Sequence, residues 1–362
     1  MRPGPKPRHL VTLAVFLGIS AACGYLAFRG NRTSAAQVNL AAAAARRHDP
    51  SLLQTDSIFG RVHTDRAFIP LDSPVFLSLM DTILIPSGYN DMLLPFRVLA
   101  GPMVMLFLCG MYILLFYQCR SSTVAAFTSV LSFGILHTFG HWSWGIGSLA
   151  SVTPHGLVVC LSPLVMYLYL KNCGTPAVLL SFGLCGLATN IHLVGAANLA
   201  VVLAVAYLPA RRFRPTAVIT ALGSALVFVV GSLPYVAYYF SVKTGMPSGA
   251  ADLSYDLFLA AIRYSDEVVM YPEILRDLLR WGVHAAGLLT LSVITLWRIE
   301  KFRSRNFGNC LWIIAAAAAV SIAGQGLVQL IARYNGTVPV TIDLAQASVW
   351  IMLPLYVLFS QT

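Results

Sequence analysis

Long apolar runs without charge constrain this chain more than any other feature. They lie at 10-28, 98-117, 122-137, 156-170, 175-189, 193-208, 217-240, 281-297, 310-331 and 344-359. A helix needs about 20 apolar residues to cross the hydrocarbon of a bilayer. With a mean hydropathy of +0.74 and 10% charged residues, a soluble fold is excluded. The sequence predicts an all-α polytopic transmembrane helical bundle of about 10 spans, forming one integral membrane domain over residues 1-362.

The distribution of charge predicts how the bundle is oriented. The net charge is +10, but the basic residues are dispersed among short loops, which argues against a nucleic-acid partner. With a cytoplasmic N-terminus, the short inside loops are basic, as the positive-inside rule requires. The first run then acts as an uncleaved signal anchor. Two long extracytoplasmic loops are predicted, at 29-97 and 241-280.

Carboxylates gather in the first of these loops. It holds six of the fourteen acidic residues, namely Asp49, Asp56, Asp65, Asp72, Asp81 and Asp91. A carboxylate at the outer face can activate an acceptor hydroxyl or hold a divalent cation. Asp49 and Asp56 come first after the anchor. The structural alternative makes Asp49, before Pro50, a turn former, and makes Asp56 the cap of a helix beginning at Ser57.

Histidine and tryptophan lie at the predicted outer ends of the short runs between 122 and 208. If the tips at 137-155 and 189-192 end below the headgroups, they form the floor of a cavity open to the outside. Its predicted lining is His137, His141, Trp142, Trp144, His155, Asn190 and His192. Alternatively these are ordinary spans with an interfacial aromatic belt. The spacing of His137 and His141 also allows a metal site.

The second long loop contains a basic helical pattern after Pro272. Arg276 and Arg280 are spaced to share one helix face, where they can clamp a phosphate or simply rest at headgroup level. The spans themselves hold almost no ionisable residues, which counts against proton-coupled transport.

The layout resembles the GT-C superfamily of polytopic glycosyltransferases, which take a sugar from a polyprenyl-phosphate carrier. Segments such as RRHDPSLLQTD and LATNIHLVGAANL also resemble bacterial multi-span membrane proteins with that architecture. The resemblance implies a functional acid in the first outer loop, and the matching positions are Asp56 and Asp49. The family's Asp-x-Asp or Glu-x-Asp pair is absent, and an Ala-rich segment precedes Asp49.

The predicted function is therefore a membrane glycosyltransferase using a polyprenyl-phosphate-linked sugar at the extracytoplasmic face of the bacterial cytoplasmic membrane. Asp56 is the expected base, and Asp49 a second acid or a ligand of a divalent cation, Mg or Mn. The predicted substrate-binding residues are His141, Trp142, Trp144, His155, His192, Arg263, Arg276, Arg280 and Arg333. The alternative is a non-catalytic membrane transporter or assembly partner for lipid or polysaccharide. Convergence of the carboxylates with the two tips distinguishes the two classes.

Overall fold

A computed structural model describes part of the chain. The described residues are 7–30, 35–49, 51, 74–139, 152–171, 174–244, 305–324, 326–327, 330, 334 and 344–361. All of the regular secondary structure in these ranges is helical. The prediction of an all-α protein is therefore confirmed for the described part.

The first nine helices run from the N-terminus to residue 244. They are α1 Pro7–Gly30, α2 Ala35–His48, α3 Pro74–Leu84, α4 Leu94–Cys119, α5 Ser122–Phe139, α6 Pro154–Leu170, α7 Thr175–Thr189, α8 Leu193–Ala210 and α9 Pro215–Thr244. A short 3₁₀ turn, Ile85–Ser87, continues α3. Proline opens α3, α6 and α9, where its missing N–H costs no helical hydrogen bond.

Two further helices follow near the C-terminus. Helix α10, Arg305–Ala319, passes into a π turn over Val320–Gly324. A 3₁₀ segment, Ala345–Ile351, leads into α11, Met352–Ser360. The predicted run 281-297 lies outside the described residues, whereas the other predicted runs coincide with helices wherever they are described.

Length and composition identify an integral membrane protein. Five described helices are long and apolar enough to cross a membrane: His9–Arg29, Leu94–Cys119, Leu193–Ala210, Pro215–Tyr238 and Asn306–Gly324. Shorter apolar helices cover Val75–Ser87, Ser122–Phe133, Pro154–Leu170, Thr175–Thr189 and Val349–Ser360.

The chain divides into two compact units. The first comprises 1–196 with 224–246, and the second 197–223 with 247–362. In the first unit α4 packs against α1, α5 and α6. Helices α1 and α4 cross at Gly24 and Gly101, where a Cβ on either glycine would lie 3.1 Å from the other's carbonyl oxygen. His9 and Ser122 are hydrogen-bonded at 2.9 Å, which places the start of α1 beside the start of α5.

Glycines also bring α7 and α9 together in the first unit. A Cβ on Gly186 would lie 2.3 Å from the backbone oxygen of Phe228, and one on Gly231 would lie 2.9 Å from the backbone nitrogen of Leu187. No larger residue fits these positions without moving a helix. The amide nitrogen of Asn190 then donates across the contact to the Gly231 carbonyl at 3.0 Å. The 189–192 tip is thereby fixed against α9.

In the second unit, α10 packs against the 3₁₀ segment and α11. Cys310, Ile313, Trp350 and Tyr356 are all buried in this core. The predicted loop 241-280 lies almost entirely outside the described residues.

Candidate functional site

Four polar and aromatic side chains meet where α2 ends beside α3, and we refer to Arg47, His48, Asp81 and Tyr89 as the loop cluster. The Arg47 guanidinium lies 3.4 Å from one oxygen of Asp81, and the Tyr89 hydroxyl lies 3.5 Å from the other. The Asp81 side chain is 18% exposed and that of Arg47 46% exposed. Such a pair contributes only about 0–1 kcal/mol to stability, so it mainly positions the carboxylate.

The backbone at Tyr89 is held in an unusual conformation. Gly88 and Tyr89 have φ angles of 61° and 59°, and the second value is costly for a bulky residue. The Tyr89 ring stacks on His48, with centroids 3.7 Å apart and planes 12° apart. Desolvation, followed by the charge on Asp81, raises the pKa of Tyr89. The turn after α3 thus holds an aromatic hydroxyl beside a carboxylate.

Asp49 lies just beyond α2 and makes a local turn. Its carboxylate accepts hydrogen bonds from the hydroxyl of Ser51 at 2.6 Å and from the Ser51 backbone N–H at 2.9 Å. These bonds lower the pKa of Asp49. The alternative that Asp49 is a turn former therefore describes its local geometry. Its catalytic role stays a prediction.

A second group of polar residues forms where α6 and α8 begin. His155, in the first turn of α6, and His192, immediately before α8, lie with ring centroids 5.1 Å apart at an angle of 79°. We refer to these two residues as the histidine pair. A Cβ on Gly195 would lie 3.0 Å from Nδ1 of His155 and 3.1 Å from Nδ1 of His192. The structure thus brings together two of the predicted substrate-binding residues, while their function remains a prediction.

Some buried polar atoms near the histidine pair have no hydrogen-bond partner within the described part of the chain. They are Nδ1 and Nε2 of His155 and Oδ1 of Asn190. The amide group of Asn190 points its nitrogen at the carbonyls of Leu187 and Gly231, 2.9 and 3.0 Å away, which fixes its orientation. Unpaired buried polar atoms of this kind are uncommon in native proteins and call for an explanation.

Helix α2 connects the surroundings of the two groups. The side chain of Gln37, near its first turn, donates to the carbonyl of Val152 at 3.3 Å, just before α6. A rise of about 1.5 Å per residue puts Arg47 about 15 Å further along the helix. Asp49 and Asp81 therefore lie at the far end of α2 from the attachment to the α6 start.

Most of the predicted site residues lie outside the described part of the chain. These are Asp56, His141, Trp142, Trp144, Arg263, Arg276, Arg280 and Arg333. The side chain of His137 is likewise not described. Within the described ranges, no group of three or more His, Cys, Asp or Glu residues lies together as a metal site would need. The prediction of a divalent cation site remains a prediction.

Sequence reasoning did not single out Asp81 or its partner Arg47. One signal was present, because Asp81 is the only charged residue in the apolar segment PVFLSLMDTIL of α3. An isolated carboxylate on an otherwise apolar helix is expensive unless it has a partner. That reasoning would have predicted a partner without identifying it.

The chain matches no protein-family model, no curated protein and no solved structure. Fold and site therefore define a class on their own. It is an integral membrane protein whose described part is helical, with α2 running from the segment before α6 to the loop cluster.

Proposed function

We propose that the chain is a multi-pass glycosyltransferase of the bacterial cytoplasmic membrane that takes a sugar from a polyprenyl-phosphate carrier at the extracytoplasmic face. The observation that carries the proposal is the loop cluster. It is a positioned carboxylate, with an arginine and a tyrosine, in the polar segment between the first two long apolar helices. Strained backbone and charge partners of this kind are enriched at functional sites.

The proposal includes about 10 spans and a cytoplasmic N-terminus. Contacts within the first unit support this orientation. The contact of His9 with Ser122 and that of Tyr117 with Tyr167, 5.4 Å between ring centroids, place Arg120 and Lys171 at one end of the helices. The described acids, Asp49, Asp81 and Asp91, lie in the connection between the opposite ends of α1 and α4. The basic end is then cytoplasmic under the positive-inside rule.

Asp81 joins the residues proposed to act on the acceptor. Asp56 remains the proposed base, with Asp49 as a second acid or a ligand of a divalent cation. The Asp81 carboxylate can accept a proton from an acceptor hydroxyl or orient it, and Arg47 holds that carboxylate in place.

The test is sugar transfer from a short-chain polyprenyl-phosphate monosaccharide by purified full-length protein, across a panel of sugars and acceptors. Asp81→Asn and Asp56→Asn should each lower the rate by about 100-fold or more, the usual contribution of a general base. Asp91→Asn is the matched control, because Asp91 pairs locally with Arg97 and caps the chain before α4. Transfer at the wild-type rate in both test variants would remove these assignments, and no transfer by wild type would remove the proposal.

The second candidate function, a non-catalytic transporter or assembly partner for lipid or polysaccharide, is favoured by one observation. Asp81, through Arg47, lies about 15 Å along α2 from Gln37, which contacts the residue preceding α6 by two positions, Val152. One catalytic centre needs its groups within a single substrate's reach. A wild-type protein that binds the lipid carrier saturably and transfers no sugar would support this candidate.

A further inference from the structure

We propose that the first turns of α6 and α8, together with the histidine pair, form a binding site for a phosphate group. The site lies in the first unit and contains none of the arginines predicted from the sequence to bind phosphate. The assignment of a lipid-linked phosphate rests on the proposed function, whereas the anion site itself does not.

The two helix starts are built in the same way and lie side by side. Thr153 precedes α6 and its hydroxyl accepts from the Gly156 N–H at 3.0 Å. His192 precedes α8 and its Nδ1 accepts from the Gly195 N–H at 3.0 Å. Contact between the His155 and His192 rings brings these starts together. Each helix N-terminus carries the equivalent of about half a positive charge, so the two add where they meet.

The His155 imidazole also indicates a bound anion. Both of its nitrogens are buried and unpartnered among the described residues. In its neutral form the ring has one N–H to donate, and in its protonated form it has two. A phosphate oxygen would accept a hydrogen bond from the N–H of the neutral ring.

The surrounding sequence favours an anion over a cation. Residues 152–170 and 174–200 contain no Asp or Glu that would repel a phosphate. They contain no Lys or Arg either, so the helix termini supply the positive potential. A Cβ on Gly195 would meet Nδ1 of both histidines, at 3.0 and 3.1 Å, so glycine lets α8 begin this close to the two rings.

Binding to detergent-purified full-length protein tests the site. The probes are farnesyl phosphate, farnesol and inorganic phosphate, measured by calorimetry. Wild type should bind farnesyl phosphate saturably and farnesol at least about 10-fold more weakly, because only the phosphate is recognised. His155→Leu should weaken farnesyl phosphate binding by about 10- to 100-fold, the effect of losing one charge-assisted hydrogen bond.

Two further variants keep the test decisive. Gly195→Ala keeps both histidines, but its Cβ would meet Nδ1 of both at 3.0 and 3.1 Å and displace the rings, so it should also weaken binding. His9→Leu is the matched control, since His9 bonds Ser122 at the other end of the helices and should bind like wild type. Unfolding midpoints of all variants show whether each one is folded. Binding equal to wild type in folded His155→Leu and Gly195→Ala, or no phosphate-dependent binding by wild type, overturns the site.

The remaining outcomes distinguish a lipid-linked from a soluble phosphate, and the phosphate site from the transferase activity. Inorganic phosphate that displaces farnesyl phosphate, with the same loss in His155→Leu, supports the anion site with a soluble source. Phosphate-dependent binding that requires His155, in a protein that transfers no sugar, supports the site and removes the transferase. Sugar transfer by a protein whose farnesyl phosphate binding is unaffected by His155→Leu supports the transferase and removes the site.

Discussion

Two aspartates of the first polar segment, Asp49 and Asp81, illustrate how differently single carboxylates are held. The Asp49 carboxylate accepts hydrogen bonds from Ser51, two positions along the chain. Asp81 contacts Arg47 on another helix and Tyr89 on the following turn. A local turn can form in almost any context, whereas the contacts of Asp81 require the tertiary fold. Asp81 is therefore the better indicator of a built site.

The Ser51 bonds give a prediction on pH. The pKa of Asp49 is lowered, chiefly by the Ser51 hydroxyl and N–H. A lowered folded pKa stabilises the fold above the unfolded pKa, and this contribution is lost as the pH falls through the folded value. Ser51→Ala removes the hydroxyl alone and should raise the pKa of Asp49 part of the way to its usual value. Carbon NMR of the labelled carboxyl measures it.

The control for this titration is Ser87→Ala. The Ser87 hydroxyl donates to the Leu84 carbonyl and not to Asp49, so the Asp49 titration should not move. An Asp49 pKa that is equal in Ser51→Ala and wild type would show that the Ser51 hydroxyl does not stabilise the carboxylate.

At the scale of elements, the contact between α7 and α9 determines where the 189–192 tip lies. Backbone meets backbone at Gly186 and Gly231, so neither helix can yield by turning a side chain. The tip carries Asn190 and His192, and it is held through the Asn190 bond to the Gly231 carbonyl. Loosening the glycine contact should therefore disturb the histidine pair.

Gly186→Ala tests this contact. Its Cβ would meet the Phe228 carbonyl at 2.3 Å, so the helices must separate. Overpacking of this kind costs about 1–3 kcal/mol, which unfolding in detergent measures. Gly18→Ala in α1 is the control, because no atom lies within 4 Å of its Cβ. That variant should be unchanged or stabilised by up to about 1 kcal/mol. Equal stability of the two variants would contradict the close contact.

The sequence predicts most helix positions because apolar length alone specifies a span. The run 175-189 coincides with α7. Helix α2 was missed, because its Ala-rich segment looks like a linker when burial is unknown. Leu40, Ala41 and Ala44 are nevertheless buried. Small side chains let α2 pack closely against its neighbours. Neither hydropathy nor charge predicts this packing.

At the scale of the whole molecule, the sequence pattern predicts few of the contacts between helices. His155 and His192 were both predicted at the outer ends, and the structure brings them into contact. The pairing of Arg47 with Asp81 could not be predicted, since it depends on how α2 returns beside α3. The separation of the two clusters is likewise a property of the packed helices.

The proposed orientation can be tested by labelling in sealed vesicles of known sidedness. Arg97→Cys should react with a membrane-impermeant maleimide from the extracytoplasmic side. Arg214→Cys should react only after permeabilisation, because the basic loop containing it is proposed to be cytoplasmic. Wild type gives the background from the native cysteines. Labelling of Arg214→Cys from the extracytoplasmic side of intact vesicles would reverse the orientation.

Helix α2 also sets a length. Both of its ends make side-chain contacts: Gln37 bonds the Val152 carbonyl just before α6, and Arg47 pairs with Asp81. It therefore keeps these two contacts about 15 Å apart. A single sugar ring is shorter than this distance, so only an extended molecule, such as a carrier bearing several sugars, can contact the start of α6 and Asp81 at once.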